Sequence, residues 1–366
     1  MDLHGGNIYK YDKEGRKIEL DYSSNINPLG ISEKFKDIIL KNIENISKYP
    51  DINYIDLRKS ISDYNNLQIE NVVVGNGGIE ILFSFFRVIR PKKVLILAPT
   101  FLEYEKAAIE VEADVNFFEL KECDNFYPDI DKLLETIKNN LYDVVVLCNP
   151  NNPTGVLIEK KHLQEILNYC ENQKTILFVD EAFIDFTENW KENTIAYCQS
   201  EYLFVMRSLT KFFAIPGLRL GYGISSNNRL ISKMIEKQEP WSINLFANLA
   251  GVFLLKDEMY IKNTEDWIKA EKKFFYDKLK EIKGIKVYKT NVNFILLKLN
   301  SIKSRELKEF MINEGILIRD AQNFKFLNDT FIRLAIKDRE NNIKVLNSLK
   351  KVLGVKNESF YDSWNK

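Results

Sequence analysis

The stretch Ser208-Leu-Thr-Lys211-Phe-Phe-Ala-Ile-Pro-Gly-Leu-Arg219-Leu-Gly221 follows the apolar run Glu201-Tyr-Leu-Phe-Val-Met206 and sets a lysine eight residues before an arginine. A lysine amine at the end of a buried strand loses hydration, so its neutral form becomes accessible and can condense with a carbonyl. The hydroxyls of Ser208 and Thr210, together with Arg219, suit a phosphate held by charge-assisted hydrogen bonds. An isolated Lys/Arg pair is more often a surface lysine and a structural arginine. The surrounding pattern decides between the two.

Outward from this stretch, short apolar runs have the look of strands buried on both faces: 71–75, 93–98, 143–148, 175–179 and 201–206. Helical patterns lie between them, as at 78–89 and 159–171. Such alternation implies an α/β fold with a mainly parallel sheet between helices. After about Ile224 the texture changes to long amphipathic helices, clearest at 265–279, and then to strands at 293–299 and 330–335. A smaller C-terminal α/β domain is expected there. The expected division is an N-terminal arm over 1–30, a large domain over 31–245 and a small domain over 246–366.

Composition narrows the class. The chain has 366 residues, 45% hydrophobic and 12% aromatic, enough for two cores and too apolar for disorder. Lys+Arg and Asp+Glu are both 52, so no net field favours nucleic acid or an anionic membrane, and an anionic ligand must be caught by local arginines. Cys123, Cys148, Cys170 and Cys198 have no metal-site spacing, and His4 and His162 are the two histidines, so no metal is expected. Buried, reduced thiols are expected. The amino terminus, Met-Asp-Leu-His-Gly-Gly-Asn, lacks a basic region followed by an apolar core, and no long apolar run occurs. The expectation is a cytoplasmic protein.

Ligands of open α/β sheets gather beyond the carboxyl ends of the strands. Three successive ends carry chemistry: Asn149-Pro-Asn-Asn152-Pro-Thr-Gly155 presents an amide, Asp180-Glu-Ala-Phe183 a carboxylate and Ser208-Leu-Thr-Lys211 an amine. A phosphorylated aldehyde with a pyridine ring accounts for the set, since Asp180 keeps the ring nitrogen protonated, Asn152 bonds the ring hydroxyl and Lys211 forms the imine. Gly75-Asn-Gly-Gly78-Ile79-Glu80 opens a helix after a strand, so its backbone N–H groups can cradle the phosphate. Phe101, in Pro99-Thr-Phe-Leu-Glu-Tyr104, can stack on the ring face. Each taken alone has a plain alternative: a core phenylalanine, a helix-capping aspartate, a structural turn.

In this order the residues resemble the fold-type I pyridoxal-phosphate enzymes, the aspartate aminotransferase-like superfamily, over nearly the whole length. The resemblance implies pyridoxal 5'-phosphate as cofactor, with Lys211 and Asp180 as catalytic residues. It implies Asn152 at the ring hydroxyl, Phe101 on the ring, and Gly78, Ile79, Ser208, Thr210 and Arg219 around the phosphate. Tyr49, in Lys48-Tyr-Pro-Asp51, matches a tyrosine that reaches the phosphate from the partner subunit, implying a homodimer with shared sites. Arg333, in Phe331-Ile-Arg-Leu-Ala335, matches an arginine that binds the substrate carboxylate.

One departure is Phe183, where aminotransferases of this superfamily usually carry a tyrosine bonded to the ring oxygen. The substitution is compatible with plain packing or with altered electronics. His4-Gly-Gly-Asn7, Ser23-Ser-Asn25-Ile-Asn-Pro28-Leu-Gly30, Asp180 to Phe186, Arg207 to Arg219, Pro240-Trp-Ser-Ile-Asn244 and Ile316-Leu-Ile-Arg319 are similar to the threonine-phosphate decarboxylases of cobalamin biosynthesis, relatives of histidinol-phosphate aminotransferase. That likeness implies a phosphorylated amino acid as substrate, contacted by His4, Gly5, Asn25, Asn152, Arg319 and Arg333. An amino-acid aminotransferase using 2-oxoglutarate stays open as the second reading. A catalytically silent regulator is the third, and intact Lys211, Asp180 and Asn152 argue against it.

Overall fold

A computed structural model of the chain describes residues 4–355; residues 1–3 and 356–366, the outer ends of the expected arm and small domain, lie outside them. The strands are β1 (Leu20–Asp21), β2 (Val72–Gly75), β3 (Lys93–Ala98), β4 (Asp114–Glu119), β5 (Val144–Cys148), β6 (Ile176–Asp180) and β7 (Leu203–Ser208). They continue with β8 (Gly221–Ile224), β9 (Ile285–Val287), β10 (Phe294–Leu299), β11 (Ile316–Leu317), β12 (Arg319–Asp320) and β13 (Phe331–Ala335). The expected strands fall where the apolar runs place them, with β6 and β7 reaching Asp180 and Ser208.

The main sheet runs β2-β8-β7-β6-β5-β3-β4. β4, β3, β5, β6 and β7 are parallel, and β8 alone is reversed, antiparallel to both β2 and β7. Side chains alternate between two cores, as a strand with both faces buried requires. Val73, Val94, Ile96, Val144, Val146, Phe178 and Phe204 pack with Phe85 of the helix Gly78–Ile89. Val74, Leu95, Leu97, Val145, Leu147, Leu177, Val179 and Val205 face the other way. β8 escapes a propensity reading because Gly221 and Gly223 occupy it. A Cβ on Gly223 would lie 2.4 Å from Phe204 Cζ, so close approach demands the glycine.

β12, β13, β10 and β9 form a second, antiparallel sheet. The N-terminal segment reaches this region, since β1 pairs in parallel with β11, Leu20 opposite Ile316. The long helix Glu258–Lys280 covers the predicted 265–279 pattern. All four cysteines are free, but Cys123 is exposed and Cys198 half-buried, which corrects the expectation of four buried thiols.

At the carboxyl ends of β6 and β7, Glu181 and Arg207 form a fully buried ion pair. Arg207 donates to Glu181 Oε2 from Nε at 3.0 Å and from Nη2 at 2.9 Å, and to Thr194 Oγ1 at 2.7 Å. Its guanidinium lies 4.7 Å from the Trp190 ring centre, and Ile195 N donates to Glu181 Oε1 at 2.9 Å. A buried charge stripped of its partner destabilises strongly. Arg207→Met is therefore expected to lower the unfolding free energy by about 3–5 kcal/mol, and a urea titration finding less than about 1 kcal/mol contradicts this account.

Candidate active site

Parallel register brings the functional residues to one edge. Asp180 is aligned with Cys148 of β5 on one side and Met206 of β7 on the other. Its buried carboxylate accepts from Ala182 N at 2.8 Å through Oδ1 and from the Tyr104 hydroxyl at 2.5 Å through Oδ2. Burial pushes this acid up to about 6, opposed by those two donors and by Lys211.

Lys211 sits on the one-turn helix Leu209–Phe212 that follows β7. Its Nζ donates to Thr210 Oγ1 at 2.7 Å, which shares a 2.8 Å hydrogen bond with Ser208 Oγ. The amine is pushed down to about 8 by burial, then by Arg219 and Arg333, while Asp180 pulls the other way. Asp180, Arg219 and Arg333 thus all act on the Lys211 amine. Arg219 adopts a left-handed φ of 62°, and a Cβ built on Gly77 would stand 2.7 Å from its Nη2. A Cβ on Gly221 would meet Gly78 N at 2.4 Å. Bare backbone at these positions lets Arg219 lie against the opening turn of the helix that Gly78 and Ile79 begin. Hydroxyls, guanidinium and helix N-terminus form a cradle suited to a phosphate.

The turn after β5 holds three asparagines with separate tasks. Asn149 exchanges hydrogen bonds with the Ile158 backbone at 2.7 and 3.3 Å. Asn151 bonds Pro99 O at 3.0 Å, Thr154 at 2.9 Å and Thr100 at 3.1 Å. Asn152 Oδ1 instead accepts from Arg333 Nη1 at 2.5 Å, linking the main sheet to β13.

Arg333 is directly opposite Arg319 across the antiparallel β12–β13 pair, and both are 5% exposed. Burial and the neighbouring Arg319 hold Arg333 below its ordinary value. Like charges facing each other across strands repel, so the pair is relieved by an anion. Arg333 also donates to Ser23 O at 2.7 Å, while its Nε and the buried Asn25 Oδ1 have no protein partner. Arg319 bonds Asp320 O at 2.9 Å and Asn323 Oδ1 at 2.7 Å.

The arm closes over this set. Gly6 N donates to Ser23 Oγ at 2.8 Å, and a Cβ on Gly5 would lie 2.1 Å from Ser23 O, so Gly5 needs its bare backbone. His4 pairs with Glu103 at 3.0 Å and packs on Phe101 with ring centres 5.8 Å apart. Tyr49 is elsewhere, 80% exposed on the surface and 4.7 Å from the Trp241 ring. Phe183 packs edge-on against Phe294 at 5.0 Å, and Arg333 lies 5.3 Å above that same ring.

Sequence reasoning missed Tyr104, Glu103 and Asn27, whose side chain ties the arm to Phe212 O at 2.8 Å beside Lys211. Glu103 and Tyr104 fall in a helical pattern, where only the fold shows which face meets Asp180. Among the described residues no cluster of His, Cys, Asp and Glu could hold a metal, and no helix is long and apolar enough to cross a membrane.

Fold and site together define an aminotransferase-like protein of fold type I. A model of the family Aminotransferase class I and II matches residues 17–349, and the chain belongs to that family, whose members use pyridoxal phosphate. A Caldanaerobacter subterraneus subsp. tengcongensis protein provisionally named threonine-phosphate decarboxylase is 41% identical over 349 residues, covering 95% of this chain and 93% of its own. The threonine-phosphate decarboxylase of Salmonella typhimurium is 34% identical over 357 residues, covering 96% of each chain. A crystal structure titled histidinol-phosphate aminotransferase, from Clostridium acetobutylicum, is 40% identical with a TM-score of 0.86, over 92% of this chain and 99% of that one.

Because the Lys211 amine is lowered to about 8, its neutral form prevails above that pH instead of above the ordinary 10.5. Imine formation by the cofactor-free protein with pyridoxal phosphate is expected to accelerate through a midpoint near pH 8, followed by imine absorbance. Lys211→Arg abolishes the signal; a wild-type midpoint near 10.5 contradicts the electrostatic reading.

Proposed function

We propose that the chain is a pyridoxal 5'-phosphate-dependent carboxy-lyase that converts L-threonine O-3-phosphate to (R)-1-aminopropan-2-yl phosphate, the linker unit of the cobalamin nucleotide loop. The observation that carries the reading is the buried, register-matched pair Arg319 and Arg333 under an arm that brings His4 and Gly5 to the site. Two cationic groups side by side suit a substrate with two anionic groups. The relatives named for this activity add support at 34% and 41% identity.

The residues present fit the cofactor. Lys211 would meet its aldehyde, Asp180 its ring nitrogen, Asn152 its ring hydroxyl and Phe101 its ring face. Gly78, Ile79, Ser208, Thr210 and Arg219 would hold its phosphate. When bound, it supplies the carbonyl that captures the substrate amine and a ring that accepts the electron pair of the broken bond. Arg319, Arg333, His4, Gly5 and Asn25 would anchor the substrate and fix its orientation, so that the Cα–carboxylate bond is the one presented for cleavage. Release of carbon dioxide would leave the electron pair of that bond behind, and Lys211 would supply the proton that returns to Cα. Asp180, kept ionised, would hold the ring nitrogen protonated.

Shared sites in a homodimer are part of the proposal. Tyr49, 80% exposed beside a 44% exposed Trp241, has the accessibility that a residue reaching a partner's phosphate cradle needs. A cytoplasmic location accompanies the reading.

An aminotransferase acting on histidinol phosphate or a related amino acid is the second reading, favoured by the 40% identical structure of that title. The deciding assay incubates the protein and cofactor with L-threonine O-phosphate, with and without 2-oxoglutarate. Carbon dioxide release independent of the keto acid is the expected result; glutamate formation that requires the keto acid, without carbon dioxide, rejects the decarboxylase. L-Serine O-phosphate, one methyl group smaller, is expected to turn over about 10–200-fold less efficiently in kcat/KM. Arg333→Lys loses the planar fork that bonds Asn152 and the Ser23 carbonyl, and is expected to cut kcat/KM by about 100-fold or more.

A further inference from the structure

Asp180 is the acid on which the proposed cofactor site turns, and its surroundings contain one group that the proposed roles leave unused. Tyr104 lies wholly inside the protein, on the first turn of the helix Glu103–Glu110. Its hydroxyl donates to Asp180 Oδ2 at 2.5 Å, within the range of a bond to a charged acceptor. The backbone N–H of Ala182 takes Oδ1 at 2.8 Å. Each carboxylate oxygen therefore has one fixed donor, which sets the plane of the group and leaves lone pairs for a third donor. Phe101 stands edge-on to the Tyr104 ring with centres 5.7 Å apart. One short segment thus fixes both the aromatic shelf and the hydroxyl behind the acid.

We infer that Tyr104 is a positioning residue for cofactor capture: its hydroxyl holds the Asp180 carboxylate ionised and aimed at a protonated ring nitrogen. The groups facing Asp180 support this. Lys211, Tyr104 and Cys148 all interact with it, and Glu181 follows it in the chain. Burial drives the Tyr104 hydroxyl and the Cys148 thiol well above their ordinary values, so both stay neutral while Asp180 carries the charge. A permanently protonated phenol is a donor at every working pH. The same burial that raises Asp180 to about 6 would raise it further without that donor, shrinking the ionised fraction near neutrality.

The inference rests on pyridoxal phosphate being the cofactor, but on neither choice of reaction, so its test uses no substrate. Pyridoxal phosphate is titrated into cofactor-free wild type, Tyr104→Phe, Asp180→Asn and the double variant, with the unfolding midpoint of each measured in parallel. Loss of a charge-assisted hydrogen bond is expected to weaken binding by about 10- to 100-fold in Tyr104→Phe, and by less than about 3-fold when the same change is made on Asp180→Asn. An equal loss in both backgrounds, or no loss in the first, overturns the inference by reducing Tyr104 to packing. Failure of wild type to bind pyridoxal phosphate overturns the cofactor reading instead. Should Tyr104→Phe not fold, 3-fluorotyrosine at position 104 in the otherwise wild-type chain gives a second readout. Its fluorine resonance is expected to move on cofactor binding, and to stay still in Asp180→Asn; a resonance indifferent to the cofactor in wild type overturns the proposal.

Discussion

The alignment of Cys148, Asp180 and Met206 across β5, β6 and β7 is the constraint on which the site depends. Parallel strands in register end at a common level, so whatever follows them in sequence emerges on one edge. Hydrogen bonds continue the alignment past the strands themselves: Asn149 N donates to Asp180 O and Glu181 N to Met206 O, both at 2.8 Å. A slip of one residue would exchange the faces on which Asp180 and Glu181 project. Glu181 would then leave Arg207, and Asp180 would leave the edge that Lys211 serves. Asp180 and Glu181 are therefore consecutive residues with opposite duties, Glu181 penalising any wrong register through Arg207 and Asp180 using the right one.

The second sheet enters the site through repulsion held in check. Arg319 and Arg333 would not be placed opposite each other in a dry location for stability alone. Their charge is balanced in part by oriented oxygens, among them the Ser23 carbonyl and the Asn152 amide. These two contacts come from the arm and from the main sheet, so a residue of β13 ties three separate parts of the chain together. Arg333 Nε is left as a buried donor without a protein partner.

Much of this was legible because both-face burial writes itself as unbroken apolar runs. The runs at 93–98 and 143–148 needed no tertiary information, and the residue that stops each run, Pro99 or Asn149, marks the edge. β4, in Asp114-Val-Asn-Phe-Phe-Glu, is the outer strand and mixes polar with apolar positions, so it reads as little. β8 carries glycines demanded by Phe204 and by the helix start at Gly78, contacts that no local pattern announces. In sequence Asn152 is one of three asparagines in a single turn; the structure distinguishes it because Asn149 and Asn151 spend their amides on backbone and hydroxyl partners of their own. Tyr104 was illegible for a related reason, since its partner lies 76 residues away.

Phe183 shows how a packing residue can bear on chemistry without touching it. Its ring meets the edge of Phe294, and the guanidinium of Arg333 lies over Phe294 in turn. The stack runs from the strand end that supplies Asp180 to the buried guanidinium of Arg333. A tyrosine at 183 would bring a hydroxyl that must find a partner in this buried neighbourhood, and the ring it packs on is the floor beneath Arg333. For the proposed substrate, holding both anionic groups would fix nearly all of its orientation, so the height and tilt of Arg333 would decide which bond at Cα is presented for cleavage. On this view the phenylalanine acts through the shape of the arginine floor as much as through any hydrogen bond it fails to make.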